Sequence, residues 1–196
     1  MRAAVQACRA CDLYADATQG VMGEGSRGAT VMLVGEQPGD REDIEGHPFV
    51  GPAGRVLDQG LERVGISPKD AYITNVVKHF RYKTRGKRRI HQTPDRWQVN
   101  ACLPWLRAEL EIVKPEALVL LGATASQALL GSHVRIGRDR GRTIESDLAE
   151  LVTITTHPSA ILRAQDDAER KAAMEQFVAD LETVARWLRE RRDGRS

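Results

Sequence analysis

The stretch Ala29-Thr30-Val31-Met32-Leu33-Val34-Gly35-Glu36-Gln37-Pro38-Gly39-Asp40 decides the fold class. Ala29 to Val34 is almost wholly apolar and shows no polar alternation, which is how a strand buried on both faces reads. It stops at a turn rich in glycine and proline that carries two carboxylates. Three further runs share its character: Ala71 to Val77, Ala117 to Leu121 and Leu151 to Thr156. Helical periodicities separate them. Val56, Leu57, Leu61 and Val64 form one stripe, Trp97, Ala101, Leu103, Leu106, Leu110 and Val113 a second, and Ala123 to Leu130 a shorter third. Strands alternating with helices predict an α/β fold, a three-layer α/β/α arrangement around a central four-stranded parallel sheet. Beyond Pro158, Met174, Phe177, Val178, Leu181, Val184 and Leu188 mark a long C-terminal helix, expected to fray from Arg189 to Ser196.

With 196 residues and 41% hydrophobic composition, the chain can bury one substantial core, and residues 1–196 read as a single domain without repeat or linker. No run reaches the roughly 18 apolar residues of a membrane helix, and no apolar signal segment follows Met1. A cytoplasmic monomer with no membrane partner is the expectation. Three cysteines cannot all pair with one another. In a reducing compartment the Cys8-x-x-Cys11 spacing reads as metal ligation or redox chemistry. The net charge of +2 is unevenly spread, because Lys78, Arg81, Lys83, Arg85, Lys87, Arg88, Arg89 and Arg96 face only Asp95 within one segment. Such a run is either a nucleic-acid contact or a solvated basic loop.

In an open α/β sheet, ligands bind beyond the carboxyl ends of the strands. Following each strand to its end gives Gly35 to Asp40, then Asn75, then Gly122-Ala123-Thr124, then His157-Pro158-Ser159. Polar chemistry thus collects on one edge. The Gly35 loop has neither the Gly-Lys-Ser/Thr ending of a phosphate-binding loop nor the spacing of a dinucleotide fingerprint, which disfavours a nucleotide cofactor. Glu36 and Asp40 supply carboxylates able to steer a proton, a water or a histidine; the loop is also readable as an ordinary turn. Phe49, set between the glycines of Gly46 to Gly54, is readable as a platform for a base or as a core aromatic.

These segments resemble, in order and spacing, the motifs of the iron-sulfur (family 4-like) branch of the uracil-DNA glycosylase superfamily. The likeness rests on Gly35-Glu36-Gln37-Pro38-Gly39, Glu42-Asp43, Gly46 with Pro48-Phe49-Val50-Gly51, Asn75, and His157-Pro158-Ser159. Two departures from the usual members, Gln37 where they commonly carry Ala and the Lys87-Arg88-Arg89-Ile90-His91 insertion, resemble the uracil-DNA glycosylase X type, whose members remain covalently attached to their DNA. The resemblance implies that the partner is uracil-containing DNA, single-stranded for preference. Asn75 would read uracil, Phe49 would stack on it, and His157, with Ser159 beside it, would hydrogen-bond a uracil oxygen. Gln37 and Asp40 would line the sugar side of a pocket backed by Gly35. Lys87, Arg88 and Arg89 would hold phosphates, and Arg163 would support the distorted strand.

The same resemblance assigns a 4Fe-4S cluster to Cys8, Cys11, Cys102 and His79, the last standing where the usual relatives carry Cys. Histidine can replace cysteine on cluster iron. Zinc fits the same ligands, and spacing cannot separate the two. His91 reads in isolation as a phosphate contact. The resemblance makes it the nucleophile that traps C1′ of the deoxyribose after uracil leaves, oriented by Glu36. The alternatives are an ordinary turnover glycosylase and a non-catalytic module that binds uracil or damaged DNA.

Overall fold

The computed structural model describes residues 1–194. After a short helix α1 (Arg2–Gln6) come strands β1 (Glu24–Gly25) and β2 (Val31–Gly35), helices α2 (Asp40–Glu45) and α3 (Pro52–Val64), and β3 (Ala71–Asn75). A hairpin of β4 (Tyr82–Arg85) and β5 (Arg88–His91) leads into α4 (Arg96–Val113), β6 (Ala117–Leu121), α5 (Gly122–Leu130) and α6 (Ile136–Asp139). The chain ends with β7 (Leu151–Thr155), α7 (Pro158–Leu162) and α8 (Asp167–Gly194).

Strands lie in the order β1-β3-β2-β6-β7. The four expected strands pair in parallel, with Gly35 level with Asn75 and Leu121 level with Thr155. The sheet nevertheless has five strands, not four: β1 adds an antiparallel edge of two residues, Glu24 opposite Ile73 and Gly25 opposite Tyr72. A two-residue strand carries no periodicity to read, so the apolar pattern could not announce it.

The uninterrupted apolar strands follow from burial on both faces. Val31 and Leu33 of β2 point into a core shared with Leu57 and Leu61 of α3 and Phe177 and Leu181 of α8. Met32 and Val34 point the other way, toward Leu106 and Leu110 of α4 and Ala125 of α5. The three-layer expectation therefore stands, with α3, α7 and α8 on one side and α4 and α5 on the other.

Two expectations about the segments outside the core need correction. The basic segment contains a β-hairpin rather than a plain loop: Arg85 opposes Arg88, and Gly86 takes φ +60 at the first of two turn positions, as a type II′ turn requires. Likewise α8 runs through Arg189 to Gly194 without fraying. Its last turns are tied down by Arg191 to Glu116 (3.1 Å) and Arg192 to Asp70 (2.7 Å), with Arg191 also stacked on Trp187; Arg195 and Ser196 lie outside the described residues.

Gly60 marks the tightest contact of the α3–α8 layer, since a Cβ there would lie 2.6 Å from Phe177 Cε1 and 2.9 Å from Leu181 Cδ1. Alanine gains about 1 kcal/mol of helix propensity over glycine, whereas overpacking a buried contact costs about 1–3 kcal/mol. Gly60→Ala should therefore destabilise the protein by up to about 2 kcal/mol in urea unfolding; a midpoint raised above wild type would mean that the two helices separate freely.

Candidate active site

A cavity of about 820 Å³ opens at the carboxyl edge of the sheet, lined among others by Glu36, Gln37, Phe49, Asn75, His91 and His157. Its floor depends on Gly35. A Cβ at that position would sit 2.5 Å from Asn75 Oδ1 and 2.7 Å from Phe49 Cζ, so only glycine lets both side chains close over the end of β2. Phe49 itself takes a left-handed φ of 56, and its carbonyl fills the place a Cβ of Gly54 would need. Asn75 is buried, and its Oδ1 has no hydrogen-bond partner. Such a buried, unsatisfied acceptor costs about 1–3 kcal/mol, and in a cavity wall that cost is recovered when a ligand donates to it.

His157 caps α7, and its Nδ1 accepts from Ser159 N–H at 3.1 Å. With Nδ1 occupied as an acceptor, the neutral ring carries its proton on Nε2. Burial, with help from Arg163 and His91 and against the pull of Glu36, pushes its pKa down to about 4. The ring therefore stays neutral near pH 7 and can act as a donor. Ser159 Oγ joins His157 Nδ1 (2.9 Å) and accepts from Arg163 (3.1 Å), so Ser159 and Arg163 brace this histidine. The ring lies 6.0 Å from that of Phe49, the two nearly parallel.

Across the cavity, His91 Nε2 lies 3.2 Å from Glu36 Oε1, while the Thr124 hydroxyl donates to Glu36 Oε2. Burial acts to raise the Glu36 pKa, but the bonds from His91 and Thr124, together with His157, outweigh it and leave the carboxyl below its ordinary value. An ionised carboxylate between two imidazoles suits a reaction that develops positive charge beside it.

His91 reaches this place because the hairpin is clamped. Gln37 Nε2 donates to the carbonyls of Arg81 (3.2 Å) and Gln92 (3.0 Å), and its Oε1 accepts from Arg81 N–H (2.9 Å). Gln37 lines the cavity, yet its amide is committed to the two ends of the hairpin. Arg89 and Asp40 also depart from expectation. The Arg89 guanidinium faces inward, paired with Asp40 and with buried Asp43, each at 2.5 Å, and lies over Phe80 and Tyr82. It has little left for a phosphate, and Asp40 forms part of a shallow side groove with Lys87 and Arg88 instead of the main cavity. Lys87 and Arg88 remain exposed at the hairpin tip. Lys78 and Arg81 are likewise paired internally, so the outward positive field is smaller than the sequence count implies.

Just past the end of β3, Cys8, Cys11 and Cys102 lie within electrostatic reach of one another. Cys8 Sγ accepts from Trp105 Nε1–H (3.3 Å) and Cys102 Sγ from Lys78 N–H (3.2 Å). A capping box at the start of α4 holds this corner: Gln98 Oε1 accepts from Asp95 N–H, and its amide donates to Asp12 beside Cys11. His79 is buried, which lowers its pKa and keeps a neutral ring suited to ligation. Among the described residues no three His, Cys, Asp or Glu side chains converge on a single ion.

Two participants escape a reading of the sequence alone. Thr124 is visible only as a polar residue just past a strand end. Lys78 is counted there with the basic segment, although it is wholly buried against Glu109. The signal was its position between Val77 and Phe80, and that of Glu109 on the stripe of Leu106, Leu110 and Val113.

Residues 22–182 match the family model of the Uracil DNA glycosylase superfamily. The chain is similar to the type-4 uracil-DNA glycosylase of Thermotoga maritima, 38% identical over 172 residues that cover 87% of this chain and 86% of the relative. It is similar to that of Pyrobaculum aerophilum as well, 37% identical over 166 residues, or 81% of each chain.

The His157 environment has a measurable consequence. A histidine whose folded pKa lies below its unfolded value of about 6.5 opposes folding as acid is added. This contribution to stability is complete above pH 6.5 and is lost as pH falls toward 4. An NMR titration should place the His157 midpoint near 4, and His157→Gln should flatten the stability profile between those limits. A midpoint near 6.5 would show the ring to be hydrated.

Proposed function

On the premise that the chain belongs to the uracil DNA glycosylase superfamily, we propose that it is a DNA-repair hydrolase that excises uracil from DNA by cleaving the bond between uracil N1 and deoxyribose C1′. The observation that carries the proposal is the unpartnered, buried Oδ1 of Asn75 in the cavity wall. A carboxamide that accepts from uracil N3–H through this oxygen can donate to O4 through its nitrogen, whereas cytosine offers an acceptor and a donor in the reverse order. Phe49 supplies the stacking face, worth roughly 1–3 kcal/mol per base.

As the glycosidic bond breaks, its electron pair leaves on uracil and the sugar becomes cation-like. His157, a neutral donor fixed by Ser159, stabilises the charge gathering on the uracil oxygen. Glu36 stabilises the cation. In the turnover reading, which the relatives' names favour, water then attacks C1′ and the abasic product is released. The cavity is reached by a base flipped out of the helix, at least cost from single-stranded DNA. Lys87, Arg88 and Arg163 are the cations in position to meet the backbone.

One observation favours a second course at the same intermediate: His91 stands in the cavity wall with a ring nitrogen on Glu36. In that course an imidazole lone pair forms the new bond to C1′ in place of water, and the imidazolium so made is faced by the Glu36 carboxylate. The reaction then ends after one turnover.

The cysteine corner fits a 4Fe-4S cluster in the chemistry of its donors. Three thiols and a neutral imidazole meet the count, and two of the sulfurs already accept N–H donors, a feature that tunes cluster sulfur. Cys8, Cys11, His79 and Cys102 would hold it, with zinc as the alternative occupant. When bound, the group would supply a structural cross-link between the N-terminal segment, the end of β3 and α4.

Purified protein should release free uracil from a uracil-containing oligonucleotide. Asn75→Ala should lower that rate by on the order of 10²-fold, the usual effect of removing one preorganised polar contact. Binding without release would instead support a non-catalytic recognition module.

The two fates are separated on a denaturing gel. If His91 captures the sugar, wild-type protein should form a complex with uracil-DNA that resists heat and detergent, at no more than one DNA per protein. His91→Ser should then lose the complex yet still release uracil. Free turnover by wild-type protein, with no such band, establishes the water course.

A further inference from the structure

Lys78 Nζ is entirely buried, and each of its three protons has an acceptor: Glu109 Oε2 at 2.5 Å, Asn75 O at 2.6 Å and Thr74 Oγ1 at 2.8 Å. Glu109, also buried, is satisfied in turn by Gly23 N–H (2.9 Å), the Tyr72 hydroxyl (3.1 Å) and the Thr74 hydroxyl. The two charges therefore link α4, Gly23 just before the edge strand β1, and the last two residues of β3. An ion pair buried this deeply carries a large desolvation cost, and apolar residues of similar volume are often at least as stable in its place. General stability is thus a weak explanation for it.

Its position offers a stronger one. Beyond Asn75 the chain leaves the sheet, and the next two N–H groups, of Val76 and Val77, bond back to Gly35 at the end of β2 and to Glu36 just after it. Those bonds tie down the chain after Asn75. The carbonyl of Asn75 itself, together with the Thr74 side chain, is held by the Lys78 ammonium. Asn75 Oδ1 has no partner of its own, so its direction is set by the backbone that carries it and by packing on Gly35.

We infer that Lys78 and Glu109 form a positioning pair that sets the backbone of Asn75, and through it discrimination of the base, without touching the substrate. This rests on the reading of Asn75 as the group that recognises uracil. A misplacement of about 1 Å at such a group can cost on the order of 10²-fold in rate.

The test uses the double variant Lys78→Met/Glu109→Gln, which removes both charges together and keeps a carboxamide oxygen at the second position to accept from Gly23 and Tyr72. It should fold with an unfolding midpoint close to wild type. It should also bind free uracil at least tenfold more weakly, raise KM on uracil-DNA, excise uracil with less preference over cytosine, and shift the side-chain amide resonances of Asn75. Thr74→Val, which removes only the hydroxyl between the two charges, should act in the same direction with smaller size, and provides the reading should the double variant not fold. A folded double variant, or Thr74→Val if that alone folds, with wild-type uracil affinity and unshifted Asn75 resonances overturns the inference. Full activity in Asn75→Ala would overturn the underlying reading of Asn75 instead, so the two failures are distinguishable.

Discussion

The candidate site depends on the absence of one carbon atom, the Cβ of Gly35. Parallel pairing sets Gly35 level with Asn75, and the end of β2 is covered jointly by the Asn75 amide and the edge of Phe49. A Cβ at 2.5 Å from one and 2.7 Å from the other could not be absorbed by a small adjustment. Asn75 is fixed through its own backbone, and Phe49 by its own left-handed conformation, with its carbonyl in the space left by a second glycine, Gly54. The Phe49 turn thus leads directly into α3, whose opposite end packs on α8. The floor of the cavity and the packing of the outer helical layer are parts of the same geometric solution.

Around that floor, opposite shifts set an ionised Glu36 carboxylate beside a neutral His157 ring. Glu36 remains ionised because His91 and Thr124 outweigh its burial, while His157 remains neutral because burial outweighs the attraction of Glu36. The surrounding cations are directed elsewhere. Lys78, Arg81 and Arg89 all end on carboxylates of their own chain. The field directed at a polyanion comes mainly from Lys83, Arg85, Lys87 and Arg88, exposed on the hairpin. This arrangement concentrates attraction at the tip, a place suited to guiding a phosphate backbone without neutralising Glu36.

The parallel sheet was legible because burial on both faces leaves no polar alternation in Val31 to Val34 or Ala117 to Leu121. The convergence of Glu36, Asn75 and His157 followed from where those strands end. The edge strand Glu24–Gly25 and the hairpin were not legible: the first is too short for any pattern, and the second has basic residues on both faces with only Gly86 to announce its turn. Side-chain direction was the other limit. A run of cations reads as a surface, and neither composition nor spacing reveals that Lys78 lies wholly inside or that Arg89 turns toward Asp43. Only the apolar residues flanking Lys78, and the apolar stripe that contains Glu109, hinted at a buried pair.

The hairpin belongs to a different mechanical class from the floor. Isolated two-stranded ribbons are marginally stable in water, and β4–β5 forms its own two-stranded sheet, separate from the central one. Its position is set by side chains: the Gln37 amide across Arg81 and Gln92, Arg89 on Asp40 and Asp43, Arg81 on Asp95, and Tyr82 on the Asp16 carbonyl. Ordinary hydrogen bonds contribute roughly 0.5–1.5 kcal/mol each and exposed ion pairs about 0–1 kcal/mol, so several such tethers together, with the buried Arg89–Asp43 pair, hold a ribbon that would not hold itself. Asn75, Phe49 and His157 owe nothing to these tethers, whereas His91 owes its place to them. The cavity floor and the hairpin that carries His91 are consequently separable by substitution, because one is built into the sheet edge and the other is an appendage.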